Sequence, residues 1–243
     1  PKSGRTWLKS LMAYYNVHRY NVNLSYDPII QWQQNIEVPK VRFTHLDIVE
    51  MPQIEKSSMA SNKAFFTNNR MIFLIRDPRD VVVSYYHQIS KREQRYNKSI
   101  SKFVRDPLFG IPRIIEYQNL VAHELKKCSS LIVVKFEDLK KNTIHELHEI
   151  MKFITDEGPS YKAVEFAVKE CEFAKLKKKA EKSTDILIAP SDAKDPQSAK
   201  VRKGKIGGYI EELDPETIDF MNNYIQKSLN SEFKFYKSYL HLN

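Results

Sequence analysis

Cysteine is scarce in this chain. Cys128 and Cys171 are the two among 243 residues, and they stand far apart with no CxxC pair. That excludes a disulfide framework and fits a reducing compartment, the cytoplasm. No apolar run approaches the roughly 20 residues that a membrane-spanning helix needs, and no signal-peptide pattern is visible. No His, Cys or carboxylate cluster has ligand spacing, so no metal is expected. The phosphate loop of nucleotide kinases, G-x-x-x-x-G-K-[ST], is missing as well. There is no internal repeat and no linker between domains. Negative charge is the minority: 39 Lys and Arg face 30 Asp and Glu, leaving +9. That excess favours anionic partners such as a phosphorylated cofactor, an acidic glycan, a membrane surface or nucleic acid.

What is present reads as one α/β domain. With 243 residues and 42% hydrophobic side chains the chain can bury a sizeable core. Met71-Ile72-Phe73-Leu74-Ile75 is a continuous apolar run bounded by polar residues on both sides. It has the pattern of a central, fully buried parallel strand. Leu131 to Phe136 reads as a second strand, and Lys40 to His45 alternates like a third. Helical spacing runs from about Arg5 to Asn16. A second helix starts at Pro78, with Asp77 as N-cap, and continues towards Arg92. Others are expected over Arg113 to Lys127, Asn142 to Ile154, Tyr161 to about Ala180, and Pro215 to about Leu229. Lys91 to Lys102 reads as a polar loop or frayed helix. Ser183 to Gly208 reads as a long loop, a length usually reserved for function or disorder. The aromatic tail (Phe233, Phe235, Tyr236, Tyr239) is expected to dock on the core. The alternation predicts a P-loop-like central parallel sheet flanked by helices on both faces.

Three stretches carry anion chemistry. Lys2-Ser3-Gly4-Arg5-Thr6-Trp7 is a glycine-containing turn that opens a helix, so free N–H groups and the positive dipole end face outward. Arg76 stands at the carboxyl end of the central strand, and Ser84 lies two turns into the next helix; ligands of open α/β sheets bind at such ends. Arg202-Lys203-Gly204-Lys205-Ile206-Gly207-Gly208 sets cations beside flexible glycines, a combination that can close over a phosphate. Each has an ordinary reading when taken alone. The first is a capped surface turn, Arg76 an ion pair to Asp80, Ser84 a small packing residue, and the third a basic tract. His45, at the end of its strand, reads alone as a capping or surface residue.

Together, and in this order, the stretches resemble the cytosolic-type sulfotransferases that use 3′-phosphoadenosine-5′-phosphosulfate. Lys2 to Trp7 is similar to that family's 5′-phosphosulfate loop. Arg76-Asp77-Pro78-Arg79-Asp80-Val81-Val82-Val83-Ser84-Tyr85-Tyr86-His87 resembles its 3′-phosphate strand and helix, and Arg202 to Tyr209 resembles its C-terminal RKG-x-x-G loop. Thr44-His45-Leu46 matches the strand end that carries the general base, and Phe136-Glu137-Asp138-Leu139 a segment at the adenine site. The resemblance implies one sulfotransferase-fold domain over residues 1–243 that lacks its first N-terminal strand. It implies transfer of a sulfonate group to a hydroxyl or amine acceptor by in-line displacement, with His45 as general base. Lys2 and the amides of Gly4 to Thr6, with Ser3 and Arg5 in the same turn, would hold the 5′-phosphate and the sulfonate. Trp7 would stack on adenine, with Phe136 and Phe173 as further adenine-side candidates. Arg76, Ser84, Arg202, Lys203 and Gly204 would bind the 3′-phosphate.

The chemistry suits those residue types. The leaving group is a phosphate oxyanion, which cations and preorganised N–H groups stabilise, and an unperturbed histidine has a pKa near 6.5, suited to a base. Several positions depart from the family pattern. Arg5 replaces a common threonine, Phe43 a lysine before Thr-His, Phe136 a tyrosine, and Gly208-Tyr209 the usual Asp-Trp. The competing readings are a P-loop nucleotide kinase or phosphotransferase and a basic nucleic-acid- or glycan-binding domain. The first lacks its Walker-type Lys-Ser/Thr pair, and the second has no need of the ordered 3′-phosphate motif, so no nucleic acid is expected. The acceptor is a small molecule or a carbohydrate, and the resemblance allows a homodimer.

Overall fold

The computed structural model describes residues 2–22, 38–43, 68–182 and 204–237. In chain order the elements are α1 (Arg5–Arg19), β1 (Arg70–Ile75), α2 (Pro78–His87) and a π-helical turn (Gln88–Arg92). Next come α3 (Ile100–Arg105), α4 (Ile111–Leu125), β2 (Ser130–Lys135), α5 (Phe136–Lys141) and α6 (Thr143–Ile154). α7 (Tyr161–Glu170), α8 (Phe173–Lys182), a 3₁₀ turn (Gly208–Glu211), α9 (Pro215–Ser228) and a last 3₁₀ segment (Ser231–Tyr236) complete the order.

β1 and β2 pair in parallel, with Ile72 opposite Ile132 and Ile75 opposite Lys135. Successive side chains leave a strand on opposite faces, and both faces are covered. Phe73 and Ile75 join a core built from α2, α3, α4, α9 and the C-terminal Phe233 and Tyr236. Ile72 and Leu74 join a second core with α1, α6 and α7. Helices therefore flank the sheet on both faces, as the alternation predicts.

The helices follow their local chemistry. In α1, Leu8, Leu11, Met12 and Tyr15 fall at i, i+3, i+4 and i+7, and all four are buried. That stripe packs on α7, where Tyr15 Oη also accepts the Ser160 N–H at 3.0 Å. Asp77 accepts the Arg79 N–H at 2.9 Å and Pro78 takes the first helical position, so α2 starts where its capping sequence places it. α9 is capped alike, Asp214 accepting from Thr217 N–H at 2.7 Å.

Four expectations change. Of the strand expected from Lys40 to His45, residues 40–43 are described and are not in a strand, and the rest lies outside the described residues. β1 is not fully buried: Met71 to Leu74 are half-buried, because β2 covers one edge and the other lines a cavity. The helix expected from Tyr161 to Ala180 is two helices broken at Cys171, whose N–H closes α7 on Ala167 O and Val168 O. The polar stretch after α2 is ordered, since Ser99 caps α3 and Tyr96 packs edge-on against Phe103 at 4.9 Å.

Candidate functional site

The turn before α1 depends on glycine. Gly4 sits at φ 95°, a left-handed conformation. A Cβ there would lie 2.6 Å from Cδ2 and 2.9 Å from Cε2 of Phe136. Lys2 also takes a positive φ of 60°. No acidic side chain occupies the first turn of α1, so the positive end of its dipole is not neutralised from within the helix. Trp7, one turn in, donates its indole N–H to Cys171 O at 3.3 Å and meets Phe136 edge-on at 5.9 Å.

Phe136 opens α5 directly after β2 and is buried, with its ring between Gly4 and Arg76. Arg76 leaves the carboxyl end of β1, its guanidinium 4.5 Å from the Phe136 centroid. Nη1 donates to Lys2 O at 3.3 Å and Nη2 to Lys205 O at 2.8 Å, so one side chain ties the first anion-binding stretch to the third. Asp80, one turn into α2, pairs with Arg76 at 3.4 Å and accepts the N–H groups of Gly207 at 2.9 Å and Tyr209 at 3.1 Å. Burial pushes the Asp80 carboxyl up, and the Arg76 charge pulls it back. Arg76 Nε is buried with no hydrogen-bond partner among the described residues.

Beneath this surface lies a sealed network. Arg79 is fully buried and holds Asp77 with Nε and Nη2, at 2.9 and 2.8 Å. Its Nη2 also donates to Tyr236 O and its Nη1 to Asn222 Oδ1. Glu137 accepts the Asp77 N–H and the Tyr236 hydroxyl, both at 2.9 Å. Burial raises the Glu137 carboxyl, partly offset by the Asp77 N–H. The C-terminal aromatic tail thus holds the strand-to-helix turn that carries Arg76.

The structure brings together Lys2, Gly4, Trp7, Arg76, Phe136 and the described part of the C-terminal loop. Ser3, Arg5 and Thr6 belong to the same turn and helix start. Ser84 is half-buried on α2, and its side chain forms no hydrogen bond among the described residues. Phe173 is 41% exposed and lies beside Gly204, where a Cβ would meet it at 3.3 Å. His45, Arg202 and Lys203 lie outside the described residues.

Two participants escaped the sequence reading. Gln88 accepts from Lys2 Nζ at 3.1 Å; it stands four residues after Ser84, a spacing that shares a helical face. Lys140, four residues after Phe136, donates from Nζ to Gly204 O. In both cases i, i+4 spacing was the available signal.

A cavity of about 500 Å³ lies along the open edge of β1. Residues 39–43 form part of its wall, and Lys2, Ser3 and Arg5 stand there too, with Tyr117 and Gln118 of α4. Gln118 donates to Arg76 O at 3.2 Å, and its Oε1 is buried with no partner among the described residues. Tyr117 is half-buried and borders the cavity; the surrounding protein pushes its pKa up to about 12, against the pull of Arg5.

Comparison with known proteins gives the family. A family model described as "Sulfotransferase domain" matches residues 1–233. Flavonol 3-sulfotransferase of Flaveria bidentis is 23% identical over 258 residues, spanning 95% of this chain and 80% of its own. Sulfotransferase 1E1 of Mus musculus is 27% identical over 259 residues, 97% of this chain and 83% of its own. Among solved structures, retinol dehydratase in complex with androsterone and inactive cofactor PAP matches with a TM-score of 0.61 at 17% identity. That match covers 95% of this chain and 79% of the other, a likeness of fold.

Proposed function

This chain belongs to the sulfotransferase-domain family and is a sulfotransferase, and from that premise we propose its donor and the residues that serve it. The donor is 3′-phosphoadenosine-5′-phosphosulfate, which supplies an activated sulfonate on a phosphate leaving group. The observation that carries this reading is Arg76, whose guanidinium spans Lys2 O and Lys205 O while its Nε–H stays buried and unpartnered among the described residues. A buried N–H of that kind costs free energy until an acceptor arrives, and a phosphate oxygen fits it. The Gly4 turn, with its unneutralised helix start, fits a second anionic group a short reach away.

The roles follow. Lys2 and the amides of Gly4 to Thr6 hold the 5′-phosphate and the sulfonate, and Ser3 and Arg5 flank them. Arg76, Ser84, Arg202, Lys203 and Gly204 take the 3′-phosphate. Trp7, Phe136 and Phe173 form the adenine side, with Phe136 also supporting Gly4 from below. Phe43, two residues before His45, lines the same cavity as Lys2 and Ser3, which supports His45 as the base at the sulfonate. His45 accepts the proton of a hydroxyl or amine as that atom bonds to sulfur and the sulfur–oxygen bond to phosphate breaks. The acceptor is a small molecule. The chain works in the cytoplasm; among the described residues no helix is long and apolar enough to cross a membrane.

The slot between β1 and residues 39–43 fits one more strand of the same domain. Parallel sheets are normally covered on both faces, and among the described residues this slot is bordered by the β1 edge away from β2 and by residues 39–43. We infer that a strand leading directly into Lys2 fills it. A chain extended upstream should unfold at a distinctly higher temperature than residues 1–243; an equal midpoint would remove this assignment.

The donor reading is tested by thermal shift. 3′-Phosphoadenosine-5′-phosphate should raise the midpoint well beyond what AMP achieves, because only the former engages Arg76. Equal shifts would overturn the 3′-phosphate site. His45→Ala should abolish most turnover and leave donor affinity nearly unchanged.

A further inference from the structure

One cation near Arg76 stands outside the local ion pairs. Among the described residues Arg76 pairs with Asp80, Arg79 with Asp77, and Lys135 with Asp138. Lys140 stands in the same region and has no carboxylate within ion-pair distance among the described residues. Its ammonium donates to Gly204 O, the carbonyl of the first described residue of the C-terminal loop. It lies 5.9 Å from the Phe173 centroid. Burial lowers the Lys140 pKa, and the Arg76 charge lowers it further. The ammonium therefore feels the Arg76 charge, and no ion pair of its own offsets it among the described residues. Such an arrangement is unfavourable by itself and is relieved by a bound anion.

We propose that Lys140 is a donor-binding residue, a second cation on the phosphate that Arg76 takes, whose ammonium moves from the Gly204 carbonyl to a phosphate oxygen when the nucleotide binds. Three placements support it. Lys140 is one helical turn beyond Phe136, the ring on which Arg76 rests, so it rises on the same side of α5. Its present partner belongs to the loop assigned to the same phosphate. A lysine on a flexible stem acts as a movable point charge, whereas Arg76 is fixed by two carbonyls.

This inference rests on the reading of the Arg76 site as a 3′-phosphate site, and the experiment separates the two. Affinities for 3′-phosphoadenosine-5′-phosphate and for AMP are measured calorimetrically on the wild type, Lys140→Met and Lys140→Arg. If the wild type does not prefer the bisphosphate, the underlying site assignment fails. If it does, Lys140→Met should lose about tenfold to a hundredfold of that preference, the range of a charge-assisted hydrogen bond. AMP affinity should stay within about twofold, and Lys140→Arg should recover part of the loss. A full preference in Lys140→Met overturns the proposal. A second readout needs no variant: lysine-directed acylation followed by mass spectrometry should show Lys140 protected by the bisphosphate and not by AMP. Equal labelling in both would overturn it too.

Discussion

Replacing Gly4 by alanine strains the molecule in two separable ways. At φ 95° an L-residue is strained, and left-handed backbone costs about 1–2 kcal/mol for a residue with a Cβ. The new methyl would also stand 2.6 Å from Phe136 Cδ2. Phe136 cannot yield freely, because it is buried, meets Trp7 edge-on and carries Arg76 on its face. Overpacking of this kind costs about 1–3 kcal/mol. The sum, about 2–5 kcal/mol, corresponds to a drop in midpoint of roughly 4–20 °C for a domain of this size. The assay is thermal or urea unfolding of four proteins: wild type, Gly4→Ala, Phe136→Leu and the double variant. Leucine removes the ring edge, so the double variant should recover about 1–3 kcal/mol relative to additivity, while the backbone share persists. If Gly4→Ala unfolds within a degree of the wild type, the turn is not held in the left-handed form. If the costs simply add, Phe136 is not its floor.

Other consequences follow from the buried network and the termini of the helices. Glu137→Ala would remove the acceptor of the Asp77 N–H and of the Tyr236 hydroxyl, so it should cost about 2–5 kcal/mol in urea unfolding, and Tyr236→Phe appreciably less. Tyr117 resists ionisation up to about 12, above the ordinary 10 of an unfolded chain. Its contribution is therefore fully present below pH 10 and is lost as pH climbs from about 10 to 12, by at most about 3 kcal/mol. Tyr117→Phe should flatten that alkaline limb of the stability curve, and an unchanged limb would argue against the raised Tyr117 pKa. Asp214, held down to about 2 by Ser101 and Thr217, keeps its cap until well below the usual carboxylate range. Asp214→Ala should raise amide exchange over the first turn of α9 at neutral pH.

Where the sequence speaks locally, the fold was legible. Met71 to Ile75 followed by Asp77-Pro78 reads as strand, cap and helix because each signal lies in the few residues it governs. The start of α1 and the cap of α9 were legible for the same reason. What was lost depends on distant partners. The break at Cys171 has no glycine or proline to mark it; the Trp7 indole binds the Cys171 carbonyl from 164 residues away. The order after α2 arises from Tyr96, Phe103 and Phe109 meeting across the loop, a contact that polar composition hides. Half-burial of β1 depends on what occupies its second edge, which no residue within the strand records. At the site, residue types were readable wherever a motif concentrated them. Gln88 and Lys140 escaped because each is the first residue past the end of a motif, where the three-dimensional neighbour gives it meaning.

Arg76 shows why an ordinary and a functional reading of one residue need not compete. Its ion pair with Asp80 is real, and a buried ion pair is by itself weak support for stability, since desolvation consumes much of the attraction. The placement of Asp80 explains the pair better. Its carboxylate also takes the amides of Gly207 and Tyr209, so it fastens the C-terminal loop to the start of α2. Arg76 then shares out its nitrogens: Nη1 goes to the Lys2 carbonyl, Nη2 to the Lys205 carbonyl and the Asp80 side, and Nε to no described atom. The contacts made fix the guanidinium plane, and the contact left over is aimed by them. A guanidinium with all its donors spent would be only a brace, and one with none spent would be too mobile to select a phosphate. The division seen here supplies both the brace and the open donor, and it requires the Asp80 pair to do so.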